Sequence, residues 1–418
     1  MKISNKFFGH TTINQSFQTI TATILSGVLG LLFYMLVARS LGPTAFGLFS
    51  VAIATLALIA DIGDLGTDSG LIRFIGKYDK QKDIQKKLLK LSIEVKILVW
   101  IFVLLVGLIF SEFIANSFFQ KPQLVVPLRL AFVGVGGALF LSFSSHALQA
   151  FQKYKTWSAI LVLANLFRLI FIVFLMFFLA LNLQNALIIY IMVPFIFFLI
   201  GLTFLPNFFA SKNEFSVSKE FFNFNRWIFI LSIISAISSR VDTFLIARLL
   251  SLEQVGLYSA ANQLTSFMPQ LSFAIATVVA PKLTRFNKKS EVFNYVKKLQ
   301  LFIFGLCSLG LLGIPVAYLI IFHLYGSKFT GSFIPFVILY LSQLVFLVAL
   351  PIYQSIFYYF GKPQVFVPVT FLQLLIVIIL CLILINPLGI VGASLAVLVG
   401  NVFFLIFPTI WAIREFRK

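Results

Sequence analysis

The chain has 418 residues, 60% of them hydrophobic and 11% charged, with a mean hydropathy of +1.04 and a formal net charge of +19. A water-soluble domain carries about 25% charged residues, so the composition excludes a soluble globular protein and makes the bilayer the solvent. The basic excess is not a nucleic-acid footprint, because no DNA- or RNA-binding motif and no solvated basic domain accompanies it; anionic lipid headgroups are the expected counter-charge.

Each spanning helix needs about 20 mostly apolar residues. In chain order, the apolar runs predict spans at 14–38, 46–72, 91–113, 124–149, 157–181 and 184–206, then at 226–248, 257–281, 299–322, 332–356, 364–385 and 389–412. The expected fold is an all-α integral membrane protein. Its twelve helices form two six-helix bundles, 1–206 and 226–418, joined by a cytoplasmic linker at 207–225. The longest connections are 73–90, 207–225 and 282–298, none large enough for a catalytic domain. The first apolar run lacks a small-residue cleavage site and is expected to stay as the first span. Cys307 and Cys381 lie inside apolar runs, which predicts neither a disulfide nor a metal site.

Lysine and arginine fix the expected direction. With both termini cytoplasmic, the tails and inside loops hold 24 of the 32, among them the seven between Arg73 and Lys90 and the six between Lys282 and Lys298. The outside loops hold Arg39, Lys121, Arg248 and Lys328. Lys96, Arg129, Arg168 and Arg240 fall within or at the edges of spans. The predicted location is the cell membrane, multi-pass.

A shift of 209 residues lays Ala38–Ala52 (ARSLGPTAFGLFSVA) over Ala247–Ala261 (ARLLSLEQVGLYSAA). It also places Phe151 on Phe360, Lys153 on Lys362 and Arg73 on Lys282. Six spans per half is an even number, so the second half starts on the same side as the first. The repeat is then parallel rather than inverted, as in transporters whose substrate path runs between two repeats.

Ala38–Ala52 resembles a family signature of the form Ala-Arg-x-Leu-Gly-Pro-x-x-Phe-Gly-Leu-Phe-Ser. Leu58–Gly66 (LIADIGDLG) and Leu71-Ile72-Arg73-Phe74 extend the likeness, as does Val241–Ile246 (VDTFLI) ahead of the second copy. It is similar to the Wzx-type polysaccharide-biosynthesis flippases of the multidrug/oligosaccharidyl-lipid/polysaccharide (MOP) superfamily. The second copy departs from the pattern, with Ser251-Leu252 in place of Gly42-Pro43. The resemblance implies a V-shaped, MATE-like pair of bundles around a partly cationic cavity, and substrates that are sugars on polyprenyl pyrophosphate. No cofactor is expected, with coupling to H+ or Na+, and glycosyltransferases or a glycan polymerase are the expected neighbours.

An ionised side chain at the bilayer centre costs about 2.5–3.5 kcal/mol on the insertion scale, so such residues should face water or one another. Asp61, with Asp64 and Asp68 at i+3 and i+7, has two readings: an ion-coupling site, or a structural role in capping or bracing the Gly63/Gly66 region or in pairing with an arginine. Arg168 can clamp a pyrophosphate bidentately or pair with Asp61. Ser232, Ser235, Ser239 and Asp242 form a helical stripe suited to a cavity wall or to plain helix packing, with Arg240 near its edge and Asp242 a second ion-coupling candidate. Asn14 and Gln18 on the first helix and Asn262 and Gln270 on the eighth complete the candidate cavity residues, beside a hinge at Pro269. Glu94, Lys96 and Arg129 read as snorkelling residues, and His10, His146 and His323 as satisfied or interfacial ones.

Three functions compete. The first is a flippase carrying lipid-linked oligosaccharide from the inner to the outer leaflet; the second is a cation-coupled multidrug or metabolite antiporter of the same superfamily. The third, a glycan polymerase or ligase, is disfavoured because the outer connections are short and nearly free of ionisable groups. A lipid II flippase of the branch with two further spans is set aside on span count.

Overall fold

The computed structural model describes residues 10–211, 215–284, 286 and 288–417. Lys2, Lys6, Lys212, Arg285 and Lys418, and the side chains of Asn14 and Arg417, lie outside the described set. Among the described residues every regular element is helical.

Among the described residues, nine stretches are long and apolar enough to cross a bilayer. Two are too long for one crossing, Gln18–Gly63 with 46 residues and Phe366–Phe416 with 51. Each is broken at a glycine with non-helical dihedrals, Gly42 (φ 77°) and Gly389 (φ 58°), so each makes two passes. A further pass comes in two short pieces, Leu252–Thr265 and Phe267–Leu283, interrupted at Ser266. Pro269 explains the interruption: it offers no N–H to the Thr265 carbonyl and its ring crowds that oxygen. The bend expected at Pro269 therefore appears one turn earlier. Twelve passes result.

The chain packs as two compact units, Met1–Ser40 with Leu48–Ala236, and Leu41–Gly47 with Ile237–Lys418. In the first unit, helix Val125–Ala150 packs against Lys82–Phe113, Leu183–Leu202 and Thr67–Lys77. Small residues let it approach closely. A side chain at Gly136 would meet the Trp100 ring at 2.5 Å, and one at Gly137 the Phe195 ring at 2.9 Å. Leu98, Phe102, Leu105 and Ile109, at helical spacing on Lys82–Phe113, are all exposed. That stripe is a lipid face.

In the second unit, Phe333–Gln354 packs against Phe366–Arg417, Leu252–Thr265 and Phe267–Leu283. The two signature copies meet here reciprocally. A Cβ on Gly47 would lie 1.9 Å from the Leu252 carbonyl oxygen, and one on Gly256 would lie 1.9 Å from that of Pro43. Residues 43 and 252, and 47 and 256, are each 209 apart, so the contact has local twofold character. Further marks of the repeat are Gln152 (φ 56°) and Gly361 (φ 61°), again 209 apart and both left-handed. At the degraded turn, Ser251 does not copy the left-handed Gly42. It is extended (φ −73°, ψ 156°), and its side chain caps Leu252–Thr265 by accepting from Gln254 N.

Other predicted spans are interrupted as well. The 46–72 run stops at Gly63, turns through Leu65 (φ 52°) and Gly66 (φ 75°), and resumes as Thr67–Lys77. The 226–248 run is Phe215–Ser238 followed by Val241–Leu249, broken at Ser239–Arg240. From Phe215 onward the expected linker is therefore helical, and this helix belongs to the first unit as far as Ala236.

Candidate functional site

The break at Asp64–Gly66 turns a run of acidic residues into a wall. Asp61 ends one helix, Asp64 sits in the turn, and Asp68 lies in the first turn of Thr67–Lys77. All three line a cavity of about 480 Å³ inside the first unit. Ser142 and His146 from Val125–Ala150, Tyr190 from Leu183–Leu202, and Ser232 and Ser235 from Phe215–Ser238 complete its polar lining. The volume falls within the range of ligand pockets.

Behind this wall stands Lys96, with 0% of its side chain exposed. Its ammonium lies 2.5 Å from Asp64 Oδ1 and 3.1 Å from Asp68 Oδ1. Asp64 Oδ1 also accepts from Thr67 Oγ1 at 2.9 Å and from the Asp68 N–H at 3.3 Å. The other oxygen of Asp68 accepts from Ser142 Oγ at 2.5 Å and faces His146 Nδ1 at 3.2 Å. Nδ1 in turn lies 2.9 Å from the Ser142 carbonyl.

Helix lengths place this cluster. At 1.5 Å per residue, Lys96 to Phe118 spans about 33 Å and Pro122 to Ser142 about 30 Å, close to one hydrocarbon thickness of ~30 Å. The cluster thus lies near one face of the apolar layer, at the end that carries the basic hairpin Arg73–Lys90. At that end Lys77 and Tyr78 both bond Glu220 of helix Phe215–Ser238, and Arg73 covers the Phe224 ring at 4.3 Å. Lys77, outside the spans, is held above the ordinary lysine range chiefly by its hydrogen bond to Glu220.

Arg168 is not part of the cavity lining. Its guanidinium stacks 4.2 Å over the Tyr190 ring and donates to the Tyr190 carbonyl at 3.2 Å and to Asn165 Oδ1 at 3.4 Å. The Tyr34 hydroxyl donates to the Tyr190 hydroxyl at 3.2 Å, and Asn165 donates to Ser26 Oγ at 2.7 Å. Arg168 thus backs a wall residue.

The serine stripe divides at the unit boundary after Ala236. Ser232 and Ser235 face the first unit's cavity, whereas Arg240 donates to Ser239 Oγ at 2.8 Å in the second unit. Asp242 is buried there. It accepts from the Thr243 N–H at 2.6 Å and from the Tyr258 hydroxyl. Gln18, Asn262 and Gln270 are half-buried; Pro269, one residue before Gln270, lines a smaller cavity of about 200 Å³ walled by Phe346, Tyr353 and Phe404. Lys96 and His146, read from sequence as bland, are the partners the aspartates find. Ser92 four residues before Lys96, and Ser142 four before His146, are the sequence hints that these faces point inward.

The fold is that of MOP-superfamily transporters. A lipid II flippase, MurJ, in an inward closed conformation is similar with a TM-score of 0.75 at 16% identity, over 96% of this chain and 89% of that one. A multidrug resistance MATE family transporter in its inward-facing conformation gives 0.73 at 15% identity, over 96% and 98%. Residues 13–287 match the polysaccharide biosynthesis protein family, and the chain belongs to that family. A Shigella flexneri protein named "Putative O-antigen transporter" is 24% identical over 292 residues, 65% of this chain and 66% of that protein, just under two thirds of its length. These relatives are named as transporters and flippases, not as enzymes.

Proposed function

We propose that the protein is a flippase that carries polyprenyl-pyrophosphate-linked oligosaccharide from the cytoplasmic to the outer leaflet of the cell membrane, by alternating access and at the expense of an ion gradient. Its termini are cytoplasmic on this reading, the side that the basic loops favour. The observation that carries it is a polar, charge-bearing cavity inside an apolar unit, in a chain of the polysaccharide biosynthesis family. A pyrophosphate with its sugars cannot enter hydrocarbon without losing hydration. Serine, tyrosine and carboxylate groups along a membrane-embedded wall replace that hydration for the sugars. Arg168, stacked on the wall residue Tyr190, is a guanidinium suited to the anion. The polyprenyl tail stays in lipid throughout.

In cells lacking the protein, labelled lipid-linked glycan should accumulate in the inner leaflet; undiminished outward transfer would refute the proposal. A second reading has one observation in its favour. The cavity wall is acidic, which suits a cationic cargo, as in a multidrug antiporter. Export of cationic dyes by cells that express the chain, with lipid-linked glycan transfer unaffected, would establish that alternative instead.

A further inference from the structure

We propose that the cluster of His146, Asp68, Lys96 and Asp64 is a proton-binding site and that His146 is the group that takes up the proton. The inference deepens the ion-coupled transporter reading above and rests on it.

The argument begins with charge. Two carboxylates and one ammonium, with a neutral imidazole, leave the four groups at a net charge of −1 in a setting where Lys96 is wholly buried. A buried net charge is costly unless compensated. One added proton brings the four groups to zero. The cation that sodium coupling would require already has a resident in its place: the Lys96 ammonium lies between Asp64 Oδ1 and Asp68 Oδ1, at 2.5 and 3.1 Å. A proton needs no such space.

Geometry names the acceptor. His146 Nδ1 is surrounded by oxygens, with the Ser142 carbonyl at 2.9 Å and Asp68 Oδ2 at 3.2 Å. That nitrogen therefore carries hydrogen in both protonation states. Nε2 is left as the site of uptake, on a side chain that is 34% exposed and lines the cavity. When a proton adds to the Nε2 lone pair, the positive charge spreads over the ring and Nδ1–H becomes a charge-assisted donor to Asp68. Release reverses the step with nothing else consumed.

The neighbouring elements offer few competitors. Asp61 closes the preceding helix in the same cavity wall, and Tyr190 faces in from Leu183–Leu202. Arg168 lies behind that tyrosine. Helix Phe215–Ser238 contributes Ser232 and Ser235 to the lining, and Glu94, near Lys96 in sequence, pairs with Lys90 at 3.8 Å.

The chain holds three histidines, His10, His146 and His323, so imidazole nitrogen NMR of the full-length protein in micelles can follow each of them. The probe is the proton itself, titrated between about pH 5 and 8. One pH-responsive imidazole should vanish in His146→Gln, and its midpoint should move by about a pH unit or more in Asp68→Asn. Sodium should leave it where it is. An imidazole assigned to His146 that does not titrate, ignores Asp68→Asn, or responds to sodium instead would overturn the proposal. His146→Gln keeps a hydrogen-bonding side chain and breaks no ion pair, so it reports even if Asp68→Asn fails to fold.

A parallel arm uses vesicles containing the purified protein and a fluorescent polyprenyl-pyrophosphate-linked sugar. Acceleration by an imposed pH gradient, taken relative to each protein's own transfer without a gradient, should be lost in His146→Gln. Retained acceleration would count against the proton site. If the wild type transfers no glycan but the imidazole titrates as described, the substrate assignment fails and the proton site stands.

Discussion

Two buried carboxylic acids, one in each unit, meet opposite fates. Asp68 lines a cavity of about 480 Å³, with a lysine, a serine and a histidine gathered on it. Asp242 is packed under a tyrosine, and the groups donating to it are Tyr258 and Thr243. The first arrangement has ionic partners and a cavity beside it; the second is a buried hydrogen-bonded tie between Val241–Leu249 and Leu252–Thr265. Residue type alone gives both an equal claim to ion coupling. Their surroundings separate them. A titratable group works in transport when it has a counter-ion to exchange with and a cavity to exchange through.

The largest expected effect breaks the first arrangement. Lys96→Met leaves two carboxylates facing each other with no cation, and loss of one partner of a buried ion pair costs about 3–5 kcal/mol. Asp242→Asn removes a charge beside which no cation is seated among the described residues, and keeps one acceptor oxygen for Tyr258, so its cost is expected near that of one hydrogen bond, about 1 kcal/mol. Thermal unfolding of both variants in the same detergent measures the contrast. Equal losses would mean that the two acids are equivalent after all.

A smaller contrast concerns packing. Gly47→Ala in the second unit would set a methyl 1.9 Å from the Leu252 backbone oxygen, whereas Gly134→Ala in the first would meet the side-chain ends of Leu56 and Ile191 at 2.5 and 2.7 Å. Backbone cannot yield as a leucine tip can. Gly47→Ala should therefore destabilise at the upper end of the ~1–3 kcal/mol typical of overpacking, and Gly134→Ala at the lower end. Expression yield and melting temperature report the order.

The smallest effect is expected at the surface tie between Lys77 and Glu220. Such exposed pairs are screened by solvent, so Glu220→Gln should leave melting almost unchanged at neutral pH. Because Lys77 is raised by this pairing, its contribution is present below the ordinary lysine pKa. It fades as pH climbs through the raised value, so any difference between wild type and variant should shrink only at strongly alkaline pH. A difference that grew there would contradict the pairing.

Much of this was legible in the chain before any coordinates. The twelve passes follow from apolar run lengths, and the repeat from Ala38–Ala52 and Ala247–Ala261. The Asp61, Asp64 and Asp68 spacing puts all three on one wall, even though the helix carrying them is interrupted. What could not be read were distances between helices. Nothing local to Lys96 says that it faces Asp64 and Asp68 rather than the headgroups, and nothing local to His146 says that it meets Asp68 across 78 positions. The break at Ser239–Arg240 also escaped. Helix periodicity assumes an unbroken axis within one unit, whereas the unit boundary after Ala236 puts Ser235 and Asp242 in different units. Arg168 stands out in its apolar helix by residue type, but its stacking on Tyr190 is a tertiary fact.

The most direct test of the account is outward transfer of a fluorescent polyprenyl-pyrophosphate-linked glycan in vesicles containing the wild type, His146→Gln or Asp242→Asn, under an imposed pH gradient. The account predicts gradient-driven transfer by the wild type, its loss in His146→Gln, and most of it retained in Asp242→Asn. Loss in Asp242→Asn with His146→Gln unaffected would contradict it.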